Sequence, residues 1–498
     1  MTDARTGVSR RAVLGVIGVG MAGVAGGAGW YLIEHKPARA TVAAWAAKRA
    51  DRYYIAHRGS GDVFPEHTVP AYQAALEWGA PAIEVSTSST ADGVLICMHD
   101  LTYDRTTNLT GIIHSMPSSV LSRVRVIQPQ LGPEWLRDPP RVPLFEEVLR
   151  RFGGRTVLCV EAKRDADFPA MVALIESHGL ADSVILKVFQ ASRRIKQAQD
   201  SGYPVFAYFG SSDATIERVR ALAARLNPST DYLVLPTSRA DGGQLDIAVV
   251  ASAVSSGVPV WAYPVHRRSE ADYFFGNGVV GVIASSYGYV SRRPMPANRT
   301  DTWRSRRIAP GEMTKDPGSK AYAPRWTGEG ELTLDLPEAQ HFVAMGQFAM
   351  VLSSLSSYRI NVEVRWNTLP LDLTTNVTIS FAHADDRYYE HRLGQGNGYH
   401  AILRANGSLE LCSHRDGVKD GVQLARPVLT QAPVTGEWIA LQVTVDGQRI
   451  RWQRDDGPRA LSVLATADEF RGSYLHIGRS STDDRCSVSF RGLRISQV

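Results

Sequence analysis

From Asp51 to Tyr289 the chain repeats one pattern: a short apolar run, a stretch with helical spacing, then another apolar run. The apolar runs are "YYIAHRG", "PAIEVS", "GVLICMHD", "VLCVEAK", "SVILKVF", "PVFAYFG", "YLVLP", "VPVWAYPV" and "GVVGVIASS". Segments between them, such as "VPAYQAALEWG" and "DATIERVRALAARL", carry apolar residues three and four apart, which predicts amphipathic helices. Apolar strands separated by helices point to a parallel sheet buried on both faces. A span of roughly 240 residues suits a TIM-type (β/α)8 barrel. Nine runs compete for eight places, and the link from "PAIEVS" to "GVLICMHD" is too short for a helix. The barrel is therefore expected to begin irregularly.

After Trp326 the spacing changes to period two. "YRINVEVRW", "NVTISFAHA", "GYHAILRANGSLELCSH" and "GEWIALQVTVDGQRIRWQRD" alternate apolar and polar residues, with turns marked by Asn406-Gly407 and Asp446-Gly447. That pattern predicts an all-β sandwich. Between the two regions, residues 291–322 are rich in Arg and Pro and read as linker. The expected organisation is a signal segment (1–40), a barrel (50–290), the linker (291–322) and a sandwich (323–498).

The N-terminal stretch "VSRRAVLGVIGVGMAGVAGGAGWYLI" places Arg10-Arg11 before an apolar, Gly-rich run, the residue pattern of a twin-arginine export signal. A small-residue cleavage site follows at Ala38-Arg39-Ala40. The alternative is a retained membrane anchor, and under either reading the remainder is secreted or held at the cell surface. Export permits disulfides, but a twin-arginine substrate folds in a reducing compartment. Cys97, Cys159, Cys412 and Cys486 are therefore not required to pair, and none has metal-type CxxC spacing. Net charge is only +5, with basic residues dispersed, which argues against nucleic acid as a partner.

In a parallel barrel the chemistry gathers at the C-terminal strand ends. Four expected strands end there in reactive residues: His57-Arg58, Glu84, His99-Asp100, and Glu161 with Lys163. Glu161 and Lys163, two apart on a strand, face one side. Two imidazoles can act as general acid and base, Arg58 and Lys163 can hold phosphoryl oxygens, and Glu84 and Glu161 offer hard oxygen ligands to Ca²⁺ or Mg²⁺. The set suits phosphodiester cleavage. Cys97 and Cys159 each precede a site residue by two and are expected to point into the barrel as packing.

"AHRGSGDVFPEHTVPAYQAALEWGAPAIEVSTSSTADGVLICMHDLTYDRTTNLTG" closely resembles the glycerophosphodiester phosphodiesterase family, with its His-Arg-Gly, Pro-Glu-Asn-Thr, Glu-x-Asp, His-Asp and Arg-Thr-Thr elements. "VPLFEEVL", "VEAK", "VPVWAY" and "GVIASS" are similar to later elements, so the resemblance spans about residues 50–290. It implies a TIM-type barrel with a divalent metal. It also implies that His57 and His99 are the acid–base pair, that Arg58 and Lys163 are the phosphate contacts, and that Glu84 and Glu161 are metal ligands. Three positions depart from the pattern: His67 stands for the Asn, Ser86 for the metal-binding Asp, and Ser285-Ser286 for a Thr-Asp. The loss of a carboxylate at Ser86 implies weak metal binding, with the Ser86 hydroxyl or water completing the shell. Glu66 is expected to support Arg58 or reach the metal through water.

The C-terminal region resembles concanavalin-like or laminin-G-like jelly rolls, on "GEWIALQVTVDGQRIRW" and "GSYLHIGRSS" followed by "VSFRGLRI". Such domains often bind glycans, and Trp366, Tyr388, Tyr389, Tyr399 and Trp438 are the aromatics that could stack on sugars. The resulting expectation is an exported, metal-dependent phosphodiesterase acting on glycerophosphodiesters, with a cell-wall glycan or teichoic acid as a further partner. Two alternatives stay open: an inert barrel serving a wall-binding protein, and a phospholipase D-like lyase that leaves a cyclic phosphate.

Overall fold

The computed structural model describes residues 39–48, 52–291 apart from 129, 130, 132 and 242, and part of the C-terminal region. There it describes 325–334 apart from 328 and 330, 340–344, 357–384, 397–455 apart from 416, 417, 419 and 420, and 461–498 apart from 468, 473 and 481–485. The twin-arginine segment as far as Ala38, the linker from 292 on, Tyr388 and Tyr389 lie outside these residues.

All nine apolar runs form strands: β1 (Tyr53–Ala56), β2 (Ala82–Ser89), β3 (Leu95–Cys97), β4 (Val157–Ala162), β5 (Val184–Phe189), β6 (Val205–Tyr208), β7 (Tyr232–Pro236), β8 (Val260–Val265) and β9 (Gly281–Ala284). Eight of them run parallel in the order β1-β9-β8-β7-β6-β5-β4-β2, and β1 pairs with β2 to close the barrel. The ninth, β3, is an antiparallel appendage of β2. The short link is therefore a hairpin outside the barrel, which resolves nine runs into eight places.

The barrel interior near its N-terminal end is an apolar floor that includes Ile55, Ala82, Cys159, Ile185, Phe206, Trp261 and Ile283. Helix α1 (Val42–Ala47) closes this end. Thr41 caps it by accepting a hydrogen bond from Ala44 N–H, and Trp45 packs against Tyr53, Phe206, Tyr232 and Trp261 with ring centroids 5.2 to 6.3 Å apart. Arg39 forms an ion pair with Asp182, and Ala40 N–H bonds the Gly154 carbonyl, so these two residues of the expected cleavage site contact the barrel. A second core lies between strands and outer helices, with Tyr72, Phe145, Phe152, Phe168 and Phe274 among its members. Cys97 belongs to that outer core, which corrects the expectation that it points inward: β3 is not a barrel strand. Cys159 does face the interior, and Cys97, Cys159 and Cys412 are free thiols.

The C-terminal region forms two antiparallel sheets. One runs in the order Arg325–Trp326, Leu332–Leu334, Ser487–Gln497, Tyr358–Thr368, Ile439–Asp446, Arg449–Arg454, Leu461–Thr466. The other runs Gln340–Ala344, Tyr474–Ser480, Asn376–His383, Gly398–Arg404, Ser408–His414, Val422–Gln423, with Val428–Leu429 also on Ser408–His414. Both contribute to one apolar core. The expected hairpin turns fall at Gly407 and Gly447, both with positive φ. Trp366 and Tyr399 are buried in the core, and two guanidiniums lie over the Trp438 ring, Arg365 at 4.5 Å and Arg491 at 4.0 Å. These three aromatics are thus packed, not presented for sugar stacking.

Candidate active site

Strand β1 ends at Ala56, and the chain then turns sharply through His57–Gly59. Arg58, Ser60 and His67 all hold positive φ, at 52°, 78° and 57°. Backbone held this way by non-glycine residues stores strain that the surrounding structure must oppose. Gly59, at φ +75°, leaves no room for a side chain, because a Cβ would sit 2.9 Å from the Ala71 Cβ on helix α2 (Val69–Glu77). The turn aims the Arg58 backbone N–H at Glu84 Oε2, 3.3 Å away. The His-Arg-Gly element is therefore a backbone device as well as a set of side chains.

At the C-terminal ends of the strands the interior is ionic. Glu84 on β2 is fully buried, with Oε2 3.4 Å from His57 Nε2 and Oε1 bonded to the Lys187 ammonium. Glu161 on β4 accepts from Lys163 Nζ at 2.9 Å and Tyr208 Oη at 2.6 Å on one oxygen, and from Lys187 Nζ at 3.2 Å on the other. Lys163 Nζ in turn lies 3.4 Å from His99 Nε2. His99 Nδ1 meets Asp100 at 2.8 Å, and Asp100 accepts from Arg105 Nε at 2.6 Å. Arg105 also holds Glu66, whose carboxylate accepts from Arg58 at 3.2 Å. One network thus joins His57 to His99 through Glu84, Lys187, Glu161 and Lys163, and continues from His99 through Asp100, Arg105 and Glu66 to Arg58.

His57, Arg58, Glu84, His99, Glu161 and Lys163, singled out from sequence, all lie at this mouth. Glu66 lies with Arg58 and Arg105. Ser86 is fully buried next to Glu161 in register, and its hydroxyl has no hydrogen-bond partner. Sequence reasoning missed Lys187, Arg105, Tyr208 and the role of Ser285, whose hydroxyl lies 2.8 Å from His57 Nδ1. Lys187 had a visible signal: a lone ammonium in the apolar run "VILKVF".

Burial fixes the protonation states. Both imidazoles are held neutral: His57 well below its usual value by burial, then by Arg58 and Lys187, and His99 down to about 4 by burial and then Arg58. Burial pushes Glu84 and Glu161 upward, but the cations beside them, Lys187 foremost, outweigh it and both stay ionised. Burial opposes the charge on Lys187, yet Glu161 and Glu84 hold its pKa well above the ordinary lysine value. A cleft of about 410 Å³ opens beside this network, lined in part by Lys163, Lys187, Arg194 and Tyr208. Lys163 and Arg194 there suit a phosphoryl group, while Lys187 is engaged by the two glutamates.

The residues that resemblance assigns to a divalent ion do not fit one. All four oxygens of Glu84 and Glu161 already have donors, and the third ligand position holds the Ser86 hydroxyl. Among the described residues no group of three or more His, Cys, Asp or Glu side chains is placed to hold a metal. Ca²⁺ takes six to eight oxygen ligands and Mg²⁺ six, far more than this pair supplies without displacing Lys187.

Residues 57–286 match the model of the glycerophosphoryl diester phosphodiesterase family. A glycerophosphodiester phosphodiesterase of Bacillus subtilis is 26% identical over 255 residues, 46% of this chain and 82% of that protein. The putative glycerophosphodiester phosphodiesterase YhdW of the same organism is 32% identical over 240 residues, 46% of this chain and 93% of its own length. The crystal structure of a glycerophosphodiester phosphodiesterase from Agrobacterium tumefaciens aligns with 48% of this chain and 99% of its own, at 21% identity and a TM-score of 0.39.

Proposed function

This chain belongs to the glycerophosphoryl diester phosphodiesterase family and is a phosphoric diester hydrolase, and we propose that it uses His99 as proton acceptor and His57 as proton donor. Its substrates are glycerophosphodiesters and its products an alcohol and glycerol phosphate. The observation that carries the assignment is the different setting of the two imidazoles. Asp100 accepts only, so His99 places its hydrogen on Nδ1 and presents the Nε2 lone pair beside Lys163. Glu84 beside His57 Nε2 favours a proton there. Burial first, and then Arg58 and Lys187, oppose that proton in the free site, and the negative charge of a bound phosphodiester acts against all three so that His57 carries it when substrate is present.

In the reaction a water oxygen bonds to phosphorus as its proton passes to His99 Nε2. The bond from phosphorus to the departing alcohol oxygen breaks, and that oxygen takes the proton of His57. Arg58 and Lys163 bind the phosphoryl oxygens. No step is routed through a metal, because the residues present do not fit one. Attack by a neighbouring glycerol hydroxyl would instead give a cyclic phosphate, the lyase outcome. Phosphorus NMR of products from glycerophosphocholine and related diesters decides: glycerol phosphate supports hydrolysis, a persisting cyclic phosphate replaces it with the lyase, and no turnover on any diester overturns the reading.

Residues 1–40 serve in this reading as the twin-arginine signal, and residues 323–498 form a concanavalin-like jelly roll beside the barrel of residues 50–290. With Trp366, Tyr399 and Trp438 packed, recruitment to a wall glycan or teichoic acid rests on other residues of that region. Co-sedimentation of the full chain with cell walls tests recruitment, and a reporter fused to residues 1–40 tests export.

A further inference from the structure

The space between Glu84 and Glu161 is filled by part of the chain itself. Lys187 projects inward from β5, its side chain buried, and bonds one oxygen of each glutamate. Its Nζ lies 4.5 Å from the Tyr208 ring centroid and 4.7 Å from that of Tyr263, so aromatic faces complete the lodging. The charges of the network balance around it: Arg58, Arg105, Lys163 and Lys187 face Glu66, Glu84, Asp100 and Glu161. A dication added to this neutral set would have to expel Lys187 into an interior where, among the described residues, no other pair of buried carboxylates converges to receive it, or remain beside it unbalanced. The Ser86 position agrees, because the carboxylate that would tip the balance toward a dication is absent. A serine at 86 where a carboxylate would sit and an ammonium at 187 shift the charge of this site in the same direction.

We propose that Lys187 is a built-in cation that takes the place of a divalent metal between Glu84 and Glu161, so that phosphodiester hydrolysis at this site requires no divalent ion. This rests on the phosphodiesterase reading above. Lys187 is a positioning residue here: it fixes the two glutamates, and through Glu84 and Lys163 the two histidines, without meeting the reacting atoms.

The test uses the full chain and has two arms. Turnover of glycerophosphocholine is measured after exhaustive chelation and again with Ca²⁺ or Mg²⁺, where the two rates are expected to agree within about twofold. A loss of more than about tenfold on chelation, restored by either ion, overturns the proposal. Calorimetry with Ca²⁺ and Mg²⁺ forms the second arm and needs no catalysis. The wild type is expected to show no binding tighter than the millimolar range of weak Ca²⁺ sites, about 10⁻³ M, and Lys187→Met/Ser86→Asp is expected to bind at least tenfold tighter. Tight binding by the wild type, or none by a folded double variant, overturns the proposal. If that variant does not fold, the wild-type titration and chelation decide. If no diester is cleaved under any condition, the proposed function fails while the calorimetric contrast still reads Lys187.

Discussion

Two layers of the same barrel interior, one step of the pleat apart, differ completely in chemistry. The floor residues Ile55, Ala82, Cys159, Ile185, Phe206, Trp261 and Ile283 are followed two positions later by His57, Glu84, Glu161, Lys187, Tyr208, Tyr263 and Ser285. Five of the pairs lie on one strand and face one interior, while His57 and Ser285 follow directly on the ends of β1 and β9. Apolar packing around Trp45 and Trp261 holds the floor, while ion pairs hold the mouth. Buried ion pairs add little net stability, because desolvation offsets their attraction, but they fix groups in place. The barrel thus divides its labour by height: the floor supplies stability and the mouth supplies position.

The largest effect expected from breaking this division is at the histidines. His57→Ala and His99→Ala should each lower kcat by about 10² to 10⁴, the usual worth of general acid–base groups. Melting temperature should move little, because neither imidazole supports the floor. Turnover within twofold of wild type for either variant would remove the role assigned to that residue.

Next is the opposite break. Trp45→Ala empties the plug among Tyr53, Phe206, Tyr232 and Trp261 and should cost about 3–5 kcal/mol in urea denaturation. The folded fraction should keep the wild-type kcat. A proportional fall in kcat of the folded protein would show that the floor and mouth are not separate.

Ser86→Asp is smaller and sharpens the account of the mouth. It adds a carboxylate to a fully buried position beside Glu161 while Lys187 remains in place. The expected result is a loss of about 1–3 kcal/mol with no gain in Ca²⁺ or Mg²⁺ affinity. Tighter metal binding by this single variant would show that Lys187 yields to a dication.

The two layers were not equally legible in the sequence. The alternation of apolar runs and helical spacing is enough for the barrel, and the strand ends are enough for His57, Glu84 and Glu161, whereas His99 follows the antiparallel β3 and is not placed by the strand-end rule. Lys187 went unseen because "SVILKVF" reads as a continuous apolar strand, and only its parity with Ile185 shows that the ammonium points inward. Tyr208 and Tyr263 are hidden by the same parity. Arg105 and Ser285 reach the site from loops, whose spacing carries no periodic signal. Cys97 was misplaced for a related reason: parity has meaning only within a barrel strand, and β3 is not one.

The smallest expected effect concerns His67, behind the mouth. Its φ of 57° is the left-handed conformation that Asn adopts readily, which explains why an Asn suits the position and a His is tolerated. The ring is buried with Nδ1 2.8 Å from the Tyr72 hydroxyl, and Nε2 has no partner. Burial, partly offset by Glu66, pushes its pKa down to about 3. In the unfolded chain the ring takes up a proton below about pH 6.5, whereas in the fold it stays neutral. Its contribution is therefore intact above that pH and is lost as pH falls toward 3, with a slope of at most about 1.4 kcal/mol per pH unit. His67→Asn should leave stability at pH 8 within about 1 kcal/mol of wild type and flatten the decline between pH 6 and pH 4. Urea midpoints at pH 8, 6, 5 and 4 measure both. Equal slopes for the two proteins would mean that His67 is protonated in the fold, and a tenfold change in kcat would move it from the packing behind the mouth into the mouth itself.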